Sequence, residues 1–297
     1  MSSAALDHFC HALIAYGERD FNRARRLAQQ AAQSDPANVV YSAAVAYLDR
    51  LVRAGQSHVY VAPEAFGAFI RSGGNVPLYA RTSAALRRVY ETYASLALLD
   101  IGVGDGLALL PALTSNISRL DVLDPSRAML DRASAALSER GVAHRAIHMT
   151  VQQFLRAGAG RYDIVQATFA MQALPPGERS VVLAGLRALT ERLLIIEFDV
   201  PDFAAGREEL AAPARVRYFV ARYRRGLAEY AGDGGLVAQG FLMPVFFGAF
   251  DPGEARLNWE MPIAGWARAV REAGFANVRV EPIYDYWWAT AYLVDAR

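Results

Sequence analysis

Short apolar runs, each bounded by glycine, proline or charge, recur through the middle of the chain. They alternate with stretches whose apolar residues fall three and four apart. Residues 97–101, 119–124, 142–149, 162–168 and 193–199 read as strands. The helical spacings between them cover Leu107, Leu110, Leu113 and Ile117, then 127–140, then 151–156. A further helix, opened by Pro175-Pro176, has Val181, Val182, Leu186 and Leu189 on one face. The run 193–199 is apolar at nearly every position, as a strand buried on both faces of a parallel sheet requires. This alternation predicts an α/β fold.

Helices are expected on either side of that core. Residues 3–55 read as three. Pro63 opens a fourth through Phe69, the segment 73–77 breaks the chain, and a fifth runs from about Leu78 to Thr92. The segment 202–262 is too long for an ordinary connection. It carries a helix with Arg215, Arg217, Tyr218, Arg222, Tyr223, Arg224, Arg225 and Tyr230, a glycine break at 232–235 and an aromatic run over 241–250. The chain closes with a helix over 262–273, Gly274 as its cap, and strands at 276–282 and 286–294. The expected domains are an N-terminal helical cap over 1–92 and a core over 93–297, with 202–262 inserted as a lid.

The most informative stretch is 97–106, an apolar strand ending in Asp100 and followed by Gly102, Gly104 and Gly106. Glycines at every second position allow a sharp turn and let a ligand approach bare backbone. A nicotinamide fingerprint needs Gly-x-Gly-x-x-Gly; counted from Gly102, its third glycine falls on Leu107, so a dehydrogenase is not favoured. The pattern Asp-x-Gly-x-Gly-x-Gly instead resembles motif I of class I S-adenosylmethionine (SAM)-dependent methyltransferases.

That resemblance implies a Rossmann-like, seven-stranded, mostly parallel sheet with an antiparallel last strand. It implies SAM as cofactor, with the glycine turn supporting its methionine part and Asp100 and Thr168 among the cofactor-binding residues. Asp124, ending the second strand, would lie at the ribose, about 20 residues past the glycines, with Pro125 after it also counted as cofactor-binding. The adenine contact falls at 150–153, where many members carry aspartate and this chain offers Gln152 and Gln153; a glutamine amide can serve. From the preceding helix, Asn75, Tyr79 and Arg81 either reach SAM or lie on a solvated face. Phe169 to Leu174 would form the loop above the methyl donor. Glu197 and His148 are the candidate bases, with a satisfied strand position as the alternative for His148. Asp199 is read as a loop cap. Phe169, Tyr218, Tyr223, Phe247 and Trp288 are candidate substrate contacts. The arginines near 215–225 suit an acidic substrate or a solvated helix face, and the aromatic run 241–250 suits either a substrate roof or packing against the first cap. A narrower similarity, to the GRAS family, rests on 98–102 with Pro111-Ala112-Leu113, the helix 215–230, and Trp266 with Ala273-Gly274-Phe275.

Composition narrows the partners. The chain has 31 basic residues, all arginine, against 30 acidic ones, a net charge of +1. That balance gives no reason to expect nucleic acid or an anionic membrane. One cysteine, Cys10, excludes an internal disulfide framework and a cysteine-based zinc site. No strong metal-ligand spacing is present. There is no basic leader and no apolar stretch of about 18 residues, so a cytoplasmic protein is expected. The expected activity is methyl transfer from SAM to a small aromatic or apolar metabolite (EC 2.1.1.-), natural-product biosynthesis in a bacterium being one setting. The alternative is a non-catalytic, SAM- or ligand-binding regulatory or scaffold protein of GRAS-like type, to which the tetratricopeptide-like residues 20–36 also point. A homodimer is left open.

Overall fold

The computed structural model describes residues 3–54, 63–158, 160–201, 211–251 and 258–297. The chain forms two compact units, one of Met1–Val76 with Phe203–Leu257 and one of Pro77–Asp202 with Asn258–Arg297.

The second unit is built on a seven-stranded sheet of β1 (Leu96–Ile101), β2 (Ile117–Leu123), β3 (Arg145–Ile147), β4 (Tyr162–Thr168), β5 (Thr190–Phe198), β6 (Val278–Asp285) and β7 (Thr290–Ala296). Their order is β3-β2-β1-β4-β5-β7-β6. Only β7 runs antiparallel to its neighbours, as expected from the sequence. The order reverses between β1 and β4, which leaves a crevice at the carboxyl ends of those strands.

Alternation along each strand covers both faces. Leu98, Ile164, Leu194 and Ile196 pack with Leu86, Val89 and Tyr90 of α5 (Asn75–Tyr90) and with Leu130 and Leu137 of α7 (Arg127–Glu139). On the opposite face Leu99, Ile101, Val165, Leu193 and Ile195 meet three helices: α8 (Val151–Ala157), α9 (Pro176–Leu189) and α12 (Ile263–Glu272). Helix α5 therefore belongs to the core, and the unit boundary falls at Val76 rather than Thr92. It also begins three residues earlier than its sequence suggests. Pro77 sits in its first turn, where the missing N–H costs nothing.

Three other expectations shift. The helix after the glycines is one turn, α6 (Leu109–Ala112). Ile117 already pairs with Leu96, at the other end of the sheet, so the periodic leucines are divided between helix and strand. In α9, Val181 faces solvent at 71% exposure and Leu183 takes its place in the core. Strand β3 holds only three residues, and such a short edge strand offers little to an intruding one. At the C-terminus Gly274, with φ of +98°, ends α12 as expected.

The first unit is helical: α1 (Ser3–Gly17), α2 (Phe21–Ser34), α3 (Val39–Ala54), α4 (Pro63–Ile70), α10 (Pro213–Glu229) and α11 (Met243–Gly248), the last preceded by a π-helical turn at Ala238–Leu242. Asp20 caps α2 by accepting from the Arg23 amide at 2.9 Å. The aromatic run packs inward: Phe247 stacks on Tyr47 with centroids 4.9 Å apart and meets Tyr16 at 4.8 Å, while Phe246 meets Tyr223 at 4.8 Å. Phe247 and Tyr223 are thus core residues with no surface to offer a substrate, a correction of the sequence reading. Arg215 is buried over Phe219 and Phe250, whereas Arg217, Arg224 and Arg225 are exposed. Asn75 donates to the Phe69 carbonyl and to Tyr230 Oη, tying this unit's chain ends together rather than facing a ligand. The expected insertion at 202–262 is described only over 211–251 and 258–262. Among the described residues no helix is long and apolar enough to cross a membrane.

Candidate functional site

The carboxyl ends of β1, β2 and β4 gather part of the residues singled out from sequence. Gly102, Gly104 and Gly106 take φ values of +68°, +58° and +84°, a region that only glycine enters cheaply. Gly102 is also a close-approach position. A Cβ there would stand 2.5 Å from the Ala170 Cβ, so the glycine turn lies directly against the loop after β4. At Gly104 a Cβ would meet nothing within 4 Å, and the backbone there borders open space.

Asp124 holds this turn in place. Its Oδ2 accepts from the Gly104 amide at 2.9 Å and its Oδ1 from the Ser126 amide at 2.7 Å. A carboxylate offers about four acceptor positions, so two remain for a vicinal diol. Pro125, beside it, is exposed and accepts from His148 Nε2 through its carbonyl at 3.0 Å.

Asp100, the second-last residue of β1, is 3% exposed and lies next to Gln166 across the β1–β4 pair. Burial pushes its carboxyl up to about 7; the Gln166 amide opposes the shift and Asp124 adds to it. Its Oδ1 has no hydrogen-bond partner, and neither do Thr168 Oγ1 at the end of β4 or Thr82 Oγ1 on α5. Buried polar groups are nearly always paired, so the two such atoms at the ends of β1 and β4, on Asp100 and Thr168, call for a ligand.

Above them runs a line of aromatic rings. Tyr79 meets Phe169 edge-on at 6.1 Å, and Phe169 stacks on Phe198 at 4.6 Å. Phe198 in turn stacks on Tyr286 at 5.5 Å, and Tyr286 leads to Trp287 and Trp288. Phe169 adopts φ of +51°, unusual for a bulky residue, and its amide is held by the Ile196 carbonyl at 2.8 Å. Burial raises the Tyr79 hydroxyl to about 12, with Asp105 of the glycine turn adding to the shift. Tyr79 thus joins the aromatic line from α5 through Phe169.

Other candidates lie elsewhere. Glu197 is 1% exposed, on the opposite sheet face from Phe198, and its Oε1 accepts from the Gln172 amide at 3.1 Å. Burial pushes its carboxyl up to about 8, opposed mainly by the backbone N–H of Gln172 and reinforced by Glu260. It is a largely protonated brace under the turn Met171–Ala173, not a base open to an acceptor. His148 lies past the end of β3 on the surface. Four strand spacings of about 4.8 Å put the β3 edge roughly 19 Å from β5, so His148 and Glu197 cannot serve one reacting centre. Gln153 is spent on a capping box with Thr150, and Gln152 donates to Glu178 at 2.6 Å, so both amides are engaged within the protein. Arg81 lies over the Tyr284 ring of β6, away from the glycine turn. Asp199 accepts from the Ile263 amide at 2.8 Å, at the start of α12 rather than in the loop that follows β5. Trp288 donates through Nε1 to Glu260 at 2.7 Å. Tyr218 is half-buried on α10 of the helical unit, under Arg222.

Sequence reasoning missed Thr82, Tyr90 and Gln166. Gln166 carried a signal: it is a lone amide inside the apolar strand Ile164-Val165-Gln166-Ala167. Thr82 and Tyr90 carried none. Their place on the α5 face that covers the sheet depends on packing.

Residues 98–192, 95 of the chain's 297, match the family model of a methyltransferase domain. No curated protein matches the sequence. Among solved structures, the mitomycin 7-O-methyltransferase MmcR is 16% identical, with a TM-score of 0.51 over 92% of this chain and 72% of its own. The magnesium protoporphyrin IX methyltransferase ChlM from Synechocystis PCC 6803, with bound SAM, is 13% identical with a TM-score of 0.49 over 79% and 90%. The Burkholderia thailandensis 1,6-didemethyltoxoflavin-N1-methyltransferase is 17% identical with a TM-score of 0.48 over 74% and 77%. The second unit thus has the class I methyltransferase fold. That class takes S-adenosylmethionine, and the residues present fit it. Asp124 retains acceptor capacity for a diol, Asp100 and Thr168 present unpartnered buried oxygens, and Gly104 leaves room at the backbone.

Proposed function

We propose that the chain transfers a methyl group from SAM to a small aromatic or apolar acceptor. The observation that carries this reading is the unpartnered buried oxygen of Asp100 beside a glycine turn tied to Asp124, at the point where the strand order reverses. Asp124, Gly102, Gly104, Asp100 and Thr168 would hold the cofactor. When bound, SAM supplies a methyl group already activated on a sulfonium centre.

The protein's own work is then positioning and exclusion of water, which together contribute several kcal/mol to such reactions. The stacked faces of Phe169 and Phe198 suit a flat, apolar acceptor. Glu197 holds the Gln172 amide and so fixes the turn that carries Phe169, as a positioning residue. No general base is assigned, which suits an acceptor that already presents its nucleophile ionised or as a neutral amine.

The test is incubation of the purified protein with methyl-labelled SAM and a panel of small phenols, aromatic amines and aliphatic alcohols, followed by mass spectrometry. Label in aromatic acceptors, lost in Asp124→Ala, is the expected result. Label only in polar aliphatic acceptors would remove the aromatic assignment. SAM binding without transfer to any acceptor would return the regulatory reading.

A further inference from the structure

The polar residues beneath the glycine turn form a chain that the methyl-transfer reading does not use. Tyr90, at the end of α5, donates its hydroxyl proton to Gln166 Oε1. An amide oxygen can only accept, so this bond decides which end of the Gln166 amide faces outward. The amide nitrogen is thereby left toward Asp100, its neighbour across the β1–β4 pair. It approaches closely enough to hold the Asp100 carboxyl down, without a hydrogen bond of full geometry. The other carboxyl oxygen, Oδ1, has no partner. Tyr90 and Gln166 are fully buried, in a layer otherwise made of Leu86, Leu98, Ile164 and Leu194. A hydroxyl and an amide in such a layer cost stability unless hydrogen-bonded; the Tyr90 hydroxyl and the Gln166 oxygen pair with each other, while the Gln166 amide nitrogen has no partner of full geometry.

We infer that Tyr90 and Gln166 are positioning residues that orient and tune Asp100, so that the cationic cofactor is taken up at Asp100 in exchange for a proton. The inference rests on the proposed SAM site and adds to it a proton linkage and two residues that need not touch the ligand. The balance is one proton: the Asp100 carboxylic acid releases it to solvent, and the carboxylate that remains offsets a positive charge of the ligand. The groups facing Asp100 are Tyr90 from α5, Gln166 from β4 and Asp124 after β2; the β5 residues on this face, Leu194 and Ile196, are apolar. None of these is a cation. The buried carboxyl therefore stays protonated up to about pH 7 until a ligand supplies the charge.

The sign follows from linkage. A cation lowers the carboxyl's pKa in the complex, so affinity rises with pH up to the value in the free protein and is level above it. Below about pH 7 the dissociation constant for SAM should weaken by up to tenfold per pH unit, with close to one proton released per molecule bound. Tyr90→Phe removes the bond that fixes the amide. Gln166 can then turn its oxygen toward Asp100, and the midpoint should move to higher pH while affinity at pH 9 stays near wild type.

The experiment is isothermal titration of the full chain with SAM from pH 5.5 to 9, in buffers of differing ionisation enthalpy. The proteins are wild type, Asp100→Asn, Tyr90→Phe and Gln166→Leu. Carboxyl carbon NMR of the ligand-free proteins supplies a readout independent of SAM, and thermal melts verify folding. The expected result is a proton-linked profile in wild type, a flat one in Asp100→Asn, and upward midpoint shifts in both relay variants. Restoring the amide as Gln166→Asn should bring the midpoint part of the way back from Gln166→Leu. SAM binding that is level with pH in wild type, or the same Asp100 midpoint in wild type and Tyr90→Phe, would overturn the inference and leave the methyl-transfer reading standing. No SAM binding at any pH would overturn both.

Discussion

Two glycines of one turn should respond differently to the same substitution. Gly102 and Gly104 have φ of +68° and +58°. Alanine at either site carries left-handed strain of about 1–2 kcal/mol, offset by roughly 0.4–1 kcal/mol from the reduced freedom of the unfolded chain. At Gly104 nothing else is added, because the new methyl meets no atom within 4 Å. Gly104→Ala should therefore cost about 1 kcal/mol. At Gly102 the methyl would stand 2.5 Å from the Ala170 Cβ, at least about 1 Å inside ordinary carbon contact. Overpacking of that kind adds about 1–3 kcal/mol, for a total near 2–4 kcal/mol, and the loop that carries Phe169 must shift. Urea unfolding followed by circular dichroism gives the stabilities, and calorimetric titration with SAM gives the affinities. Gly104→Ala should unfold close to wild type yet bind SAM at least tenfold more weakly, because its methyl fills space left for the ligand. Gly102→Ala should lose both. Equal destabilisation of the two variants, or wild-type SAM affinity in Gly104→Ala, would refute this account of the turn.

Further expectations follow from the same contacts. Phe247→Ala removes a fully buried ring from the helical unit and should cost about 3–5 kcal/mol in unfolding. Its SAM affinity, read at a temperature where the variant is folded, should be unchanged; a tenfold loss would bring Phe247 back as a ligand contact. Arg192 makes a bidentate pair with Asp295, both bonds at 2.9 Å, joining β5 to β7. Arg192→Met leaves that carboxylate unpaired and should cost about 3–5 kcal/mol, whereas the double variant Arg192→Met, Asp295→Leu should recover most of it. Glu197 holds its proton up to about pH 8, against 4.5 for an ordinary glutamate. Between those values the folded state binds a proton that the unfolded state does not, so stability falls as pH rises through that window. Thermal midpoints measured from pH 5 to 9 should show a shallower decline in Glu197→Gln than in wild type, and parallel curves would count against the buried acid.

The α/β order, the glycine turn and the antiparallel strand could be read from the chain because each has a local cause. The apolar strands Leu98-Leu99 and Leu193–Ile196 need no context, and neither does a turn that only glycine can make. What could not be read depends on packing at long range. On α9 Val181, Val182 and Leu183 are all apolar, and only the sheet decides which of them is covered. The aromatic run 241–250 has the composition of a binding site and the location of a core. Glu197 could be placed at the end of β5, but not on the sheet face away from Phe198, because one residue of register decides the face. Gln152 and Gln153 were available to a ligand in sequence; in the fold a capping box and Glu178 engage them. The aromatic line from Tyr79 to Trp288 joins α5, β4, β5 and the turn before β7, residues more than 200 positions apart.

The central claim is that the crevice between Asp100 and Asp124 holds SAM. Calorimetric titration at pH 8 with SAM, using NADH as control, tests it in wild type and Asp124→Ala. The account predicts one SAM site per chain, no heat with NADH, and loss of SAM binding in Asp124→Ala with the fold retained. Saturable binding of NADH alone, or SAM affinity unchanged in Asp124→Ala, would contradict it.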